Sequence, residues 1–126
     1  MKSFINIILS ICVLFSCSIS SKDIPYLLTA SSKGDLESVK AIIESGGNPN
    51  TEDGNKVTAL MYASRKNQVE VVKYLISKGA KVNKQEIDGW TALMYASKNN
   101  YSDVVELLIN KNADLKITDS DGWTAY

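Results

Sequence analysis

Three sets of residues in this chain have types and spacings that suggest chemistry. Asp119-Ser120-Asp121-Gly122 reads like the opening of a calcium loop, where oxygens at alternate positions face one cation. The glutamate that closes such a loop does not follow, so these residues are read as a turn. Glu37, Glu70 and Asp103 recur at one interval, and a row of carboxylates invites acid–base catalysis. Their place in the first turn of predicted helices gives a plainer account, since a carboxylate is favoured at the positive end of a helix dipole. Trp90, Trp123, Tyr62 and Tyr95, with Arg65, Lys66 and Lys98, are residues of the kind in which binding energy concentrates or which rim a binding surface.

Composition narrows the choice among them. Lysine plus arginine equals aspartate plus glutamate, 14 each, so there is no basic excess to neutralise a run of phosphates and nucleic acid is not the expected partner. Histidine is absent, which removes the usual general base and the commonest metal ligand. No Gly-rich phosphate loop, Cys/His metal spacing or nucleophile elbow occurs. The expectation is a protein without catalytic residues, cofactor, metal or small-molecule substrate.

The first twenty residues form a separate unit. Met1-Lys2 is followed by a mostly apolar run from Phe4 to Phe15, interrupted only by Asn6 and Ser10, and then by Ser16, Cys17 and Ser18, the order of a secretory signal. A run of this length falls short of the roughly 20 residues that span a bilayer. Both cysteines, Cys12 and Cys17, lie inside it, so the remainder folds without a disulfide. Leu14-Phe15-Ser16-Cys17 is similar to a bacterial lipobox, which would make Cys17 the lipidated N-terminus; the alternative is a soluble product cut after Ser18 or Ser20. The expected location is outside the cytoplasm, in the periplasm or cell envelope.

The elements that position the aromatic set repeat with a fixed period. Val57-Thr58-Ala59-Leu60-Met61-Tyr62-Ala63-Ser64 returns 33 residues later as Trp90-Thr91-Ala92-Leu93-Met94-Tyr95-Ala96-Ser97, and Trp123-Thr124-Ala125 begins it again. Glu37-Ser38-Val39, Glu70-Val71-Val72 and Asp103-Val104-Val105 keep the same step, as do Gly46, Gly79 and Asn112. Thr58 and Thr91 are N-cap residues for short first helices that end at Asn67 and Asn100, as another does at Gly34. Second helices are predicted near 35–45, 68–78 and 101–111, each with one apolar stripe. Asp88-Gly89 and Asp121-Gly122 mark turns at the tips of extended fingers, with Asp53-Gly54-Asn55 near the first tip. Ala30, Ala63 and Ala96 let neighbouring helix pairs approach closely.

This pattern resembles the ankyrin-repeat family over Ile24 to Tyr126. Met61 and Met94 stand where that family has His, Asn67 and Asn100 replace its interhelix Gly, and its Pro survives only at Pro25, one position early. The resemblance implies an all-α solenoid of three stacked helix-turn-helix repeats with β-turn finger loops, preceded by a signal helix. The units are 1–20 as signal and 21–126 as repeats (25–57, 58–90 and 91–123, with a fourth begun from 124). It also implies a protein partner docked on the concave surface, with Trp90, Trp123, Tyr62, Tyr95, Val57, Arg65, Lys66 and Lys98 as contacts. The alternative is an envelope tether, held through lipidated Cys17 and associating through the open end of the third repeat. Three repeats are about the fewest that stack stably, so marginal stability is expected without a partner.

Overall fold

The computed structural model describes residues 23–125, which form three helix pairs. These are α1 (Asp23–Lys33) with α2 (Leu36–Glu44), α3 (Ala59–Arg65) with α4 (Val69–Ser77), and α5 (Ala92–Lys98) with α6 (Ser102–Asn110). Pairing of β type among the described residues is limited to one bridge, Glu52 to Thr58. None of the described helices is long and apolar enough to cross a membrane. Residues 1–20, read from the sequence as a signal and including Cys17, and Tyr126 lie outside the described residues.

Local chemistry fixes the helix ends. The hydroxyls of Thr58 and Thr91 accept from the N–H of Met61 and Met94, each at 3.3 Å. Met61, in place of the family's His, closes the first of these caps, because its Sδ accepts from the Thr58 N–H at 3.5 Å. The second helices are nine residues long, one residue shorter at each end than the pattern suggested; Asp35, Gln68 and Tyr101 are their N-caps and Ser45, Lys78 and Lys111 their C-caps. α1 is already helical at Asp23, the first described residue, and Pro25, at the position of Thr58 and Thr91, leaves it without their threonine cap. Asn67 and Asn100 turn between paired helices at φ 59° and 58°, as Gly34 does at 76°.

The helices lie in two layers, α1-α3-α5 and α2-α4-α6, and each helix of the first layer packs closely on the next. Ala30, Ala63 and Ala96 of this layer are buried, as are Leu60 and Leu93, and Leu75 and Leu108 of the second layer are buried too. The paired valines divide the labour between neighbours. Val39 and Val72 are fully buried, while their counterpart Val105 is half-exposed in the last repeat, so this position faces the following pair. Val71 and Val104 are buried, while Ser38 is half-exposed in the first repeat, so that position faces the preceding pair.

Each finger is the same hydrogen-bonded turn. The N–H of Asp53, Glu86 and Asp119 donates to the C=O of Val57, Trp90 and Trp123, and the N–H of Lys56, Gly89 and Gly122 donates back to the C=O of Asp53, Glu86 and Asp119. This geometry puts the fourth residue in the left-handed region: Gly89 at φ 84°, Gly122 at 85°, and Lys56 at 65° where the first finger lacks glycine. Neighbouring fingers bond through Ile87 N–H to Asn55 C=O (3.0 Å) and Ser120 N–H to Asp88 C=O (2.8 Å). Asn50 and Asn83 tie successive repeats by accepting from the N–H of Lys81 and Asp114, at 2.7 Å each.

Candidate functional site

Helical spacing builds the site. Tyr62 and Arg65 on α3, and Tyr95 and Lys98 on α5, are three residues apart and so share one helix face. The Arg65 guanidinium lies 5.0 Å from the centre of the Tyr62 ring and 5.8 Å from that of Tyr95, bridging two repeats. The Tyr95 ring meets Trp90 at 5.1 Å with a 44° tilt, and Lys98 Nζ sits 5.1 Å over Trp90. A ladder of Arg65, Tyr95, Trp90 and Lys98 results, in which each ring is tied to a cation or another ring.

The fingers support this ladder from beneath. Asp53 Oδ1 accepts from the N–H of Asn55 (2.8 Å) and Val57 (3.0 Å), while its Oδ2 accepts from the Tyr62 hydroxyl at 2.8 Å. Glu86 Oε1 accepts from the N–H of Asp88 and Trp90, and Asp119 Oδ1 from those of Asp121 and Trp123. Burial raises the Asp53 pKa, but the Tyr62 hydroxyl, the two backbone donors and the charge of Arg65 outweigh it, and the carboxyl titrates below its ordinary value. Tyr62 is pushed up by burial and by its bond to Asp53. Tyr95 is pushed up by burial and by the negative charges of Glu86 and Asp88, against the opposing charge of Arg65. Both phenols therefore stay protonated at neutral pH, which suits contact and hydrogen bonding.

Two clefts open along this face in repeating register. One, of about 470 Å³, is walled by Arg65, Lys66, Asp88, Trp90, Lys98 and Tyr101. The other, of about 320 Å³, lies one repeat further on and is walled by Lys98, Trp90, Asp119, Asp121 and Trp123. Arg65, Glu86, Asp88 and Trp90 of the first become Lys98, Asp119, Asp121 and Trp123 of the second, each displaced by the repeat length. A third cleft, of about 720 Å³, lies elsewhere, on the uncovered side of the last helix pair, with Val105, Ile109 and Ala125 in its wall.

Most of the partner-facing residues read from the sequence come together here. Trp123 is 72% exposed; Arg65, Lys66 and Lys98 are exposed; Trp90 and Tyr95, in contact with each other, and Tyr62, held by Asp53 and Arg65, are half-buried. Val57 is corrected: at 8% exposed it belongs to the core, because the first finger turns its valine inward where the later fingers carry tryptophan. Met61 and Met94 are buried and fill space. Glu37, Glu70 and Asp103 are exposed in first turns, Glu70 pairing with Lys73 at 3.5 Å, away from both finger clefts. The calcium-like Asp119 uses a carboxylate oxygen on its own turn. The sequence placed Asp53 and Asp119 in turns without assigning them a supporting role and left Glu86 unnamed, although an acid at one repeat position in all three fingers is a readable signal. It also passed over Ile87, 63% exposed at a finger tip.

The family model for "Ankyrin repeats (3 copies)" matches residues 27–119. No curated protein matches the chain.

Proposed function

Because this chain belongs to the ankyrin-repeat family, whose repeats are generally protein-interaction modules, we propose that it binds a partner protein on the face formed by α3, α5 and the fingers. The observation that carries this reading is the Arg65-Tyr95-Trp90-Lys98 ladder, flanked by an open Trp123. Such a surface offers rigid aromatic area at little entropic cost, with charged groups at its rim to set orientation. No step of catalysis belongs to the proposal. Quantitative capture from a cell-envelope extract, with the mature chain as bait, tests it. Trp123→Ala should leave the circular dichroism spectrum unchanged and weaken capture of the main partner by at least roughly tenfold, the effect of removing a binding hot spot. Undiminished capture by the folded variant would remove this face from the binding site.

Export to the envelope is part of the same proposal and rests on the order of charge, apolar run and small residues in 1–20. Mass spectrometry of the mature N-terminus decides its form: a diacylated Cys17 makes the protein an anchored lipoprotein, and a free Ser or Ile makes it soluble. A chain recovered with Met1 intact would overturn export.

One observation favours a second reading, an envelope tether that associates through the last repeat. Val105 and Ile109 stay uncovered there, Ile109 at 44% exposure, although their counterparts Val72 and Ile76 are shielded by the following pair. Concentration-dependent sedimentation that is abolished by Ile109→Lys would support this reading; a monomer at every concentration would eliminate self-association.

A further inference from the structure

The charges around the finger clefts are unequally committed. Glu86 is buried and holds two backbone N–H groups; Asp119 holds two more; Asp53 holds two and the Tyr62 hydroxyl. The cations are not so employed. Ion pairs among the described residues join Lys73 to Glu70 and Lys84 to Glu52, and none includes Arg65, Lys66 or Lys98. In the cleft between the second and third repeats, these three cations face Asp88 and the already engaged Glu86.

Arg65 is also oriented. Its guanidinium is bracketed by the rings of Tyr62 and Tyr95, and Tyr62 is itself fixed by its bond to Asp53. The ring contacts hold the group without using its N–H donors, which are left for a planar acceptor. A carboxylate matches that fork with two parallel hydrogen bonds, and because the side chain is already ordered, little rotamer entropy is lost on binding. Lys98 stands one repeat further along, held over Trp90, so a second anion would be met at the spacing of the repeats.

We infer that the cleft between the second and third repeats receives an acidic segment of the partner polypeptide, one carboxylate on the Arg65 fork and a neighbouring one at Lys98. This rests on the protein-binding proposal and specifies the chemistry of its ligand. Asp88 makes its hydrogen bonds through its backbone, so its carboxylate stays on the finger wall and selects against carboxylates placed on that side. The acidic residues therefore lie toward the helix ends of the groove.

Fluorescence anisotropy on the full mature chain tests the assignment, using labelled peptides of alternating Glu and Ala and matched Gln and Lys versions. The Glu peptide should bind at least about tenfold more tightly than the Gln peptide, as charge-assisted hydrogen bonds imply. Arg65→Gln should remove most of that difference, leaving the share carried by Lys98, and Arg65→Lys should recover only part of it, because an ammonium cannot form the two parallel bonds of the guanidinium fork. Lys40→Gln, which removes a cation from the outer helix layer, should leave it intact. Added salt should narrow the preference without erasing it. Equal binding of Glu and Gln peptides, preference for the Lys peptide, or an Arg65→Gln variant that folds and binds the Glu peptide unchanged would each overturn the acidic assignment. In those cases capture that still depends on Trp123 keeps the protein-binding proposal, whereas capture insensitive to Trp123 removes both.

Discussion

The first repeat and the two that follow it share a backbone plan but spend their side chains differently. Where the later first helices carry Tyr62 and Tyr95, and then Arg65 and Lys98, the first repeat has Thr29 and Ser32. Where they carry Ala59 and Ala92 against a preceding pair, it has Tyr26, 55% exposed and hydrogen-bonded to Ser38 at 3.3 Å. Asp35 caps α2 through its side chain, a bond that Gln68 and Tyr101 do not make in α4 and α6. Ser38 replaces the buried Val71 and Val104. The first repeat thus presents a polar outer face suited to closing a stack, and the ladder of rings and cations is built by the second and third. A solenoid needs this asymmetry, since interior repeats must bury both sides while an end repeat must keep one wet.

Moving the polar residue of the end repeat into the interior should break the comparison most severely. Val71→Ser puts a hydroxyl where the side chain is 1% exposed, removing apolar contact and stranding a polar group. A loss of about 2–4 kcal/mol is expected, enough to unfold a marginal stack. Val105→Ser, on the uncovered side of the last pair, should cost below about 1 kcal/mol. Urea midpoints at constant slope give both values. Equal costs for the two variants would mean that Val105 is as covered as Val71 in solution.

The fingers sharpen the same comparison at a smaller scale. Gly89 occupies φ 84°, and a Cβ there would meet the Asp119 Cα at 2.9 Å, a backbone atom of the adjoining finger that has nowhere to go without shifting the finger. Gly89→Ala should therefore cost at least about 1–2 kcal/mol, the usual penalty of a side chain in the left-handed region, and should loosen the bond from Ser120 to Asp88. At the matching position of the first finger Lys56 already bears that penalty, so Lys56→Gly should gain about 0.5–1 kcal/mol once the extra backbone freedom of glycine is subtracted. Thermal midpoints of the two variants, moving in opposite directions, would establish that the fingers differ in strain rather than in design. A drop for Lys56→Gly would show that the lysine side chain contributes more than its backbone conformation costs.

The chain announces its fold through residues that repeat and hides its site in those that do not. Helix starts, interhelix turns and finger glycines were readable because Thr58, Thr91, Asn67, Asn100 and Gly89 answer backbone requirements that every copy shares. The aromatic residues were readable as a set but not as a ladder, since the position of Arg65 between two tyrosines depends on how α3 packs beside α5. Val57 was misplaced for the same reason: it occupies the tryptophan position, yet periodicity gives no sign of which way a side chain turns at a finger base. Asp53 and Asp119 were readable as turn residues, but their supporting role, shared with Glu86, was not, because their bonds run to backbone N–H groups, which residue types alone do not register.

Asp53 offers the finest test, because it joins the first repeat to the site. Its Oδ2 holds the Tyr62 hydroxyl, whereas the matching contact of Tyr95 is a ring, Trp90, and not a carboxylate. Burial opposes the charge on Asp53, but the Tyr62 bond and the backbone donors prevail, so its folded pKa lies below the ordinary 3.8. A carboxyl of this kind adds stability that is fully present above its unfolded pKa and is lost as pH falls through the folded one. Asp53→Asn should accordingly be less stable than the native chain at neutral pH, and the gap should close as pH drops below the ordinary Asp range. Tyr62→Phe removes the largest influence that lowers the pKa, so in that background the closing should begin at higher pH. Thermal midpoints of the native chain and the variants across that range measure the effect. A gap that stayed constant with pH would mean that Asp53 holds the finger by geometry alone and that its charge contributes nothing to placing Tyr62 beneath Arg65.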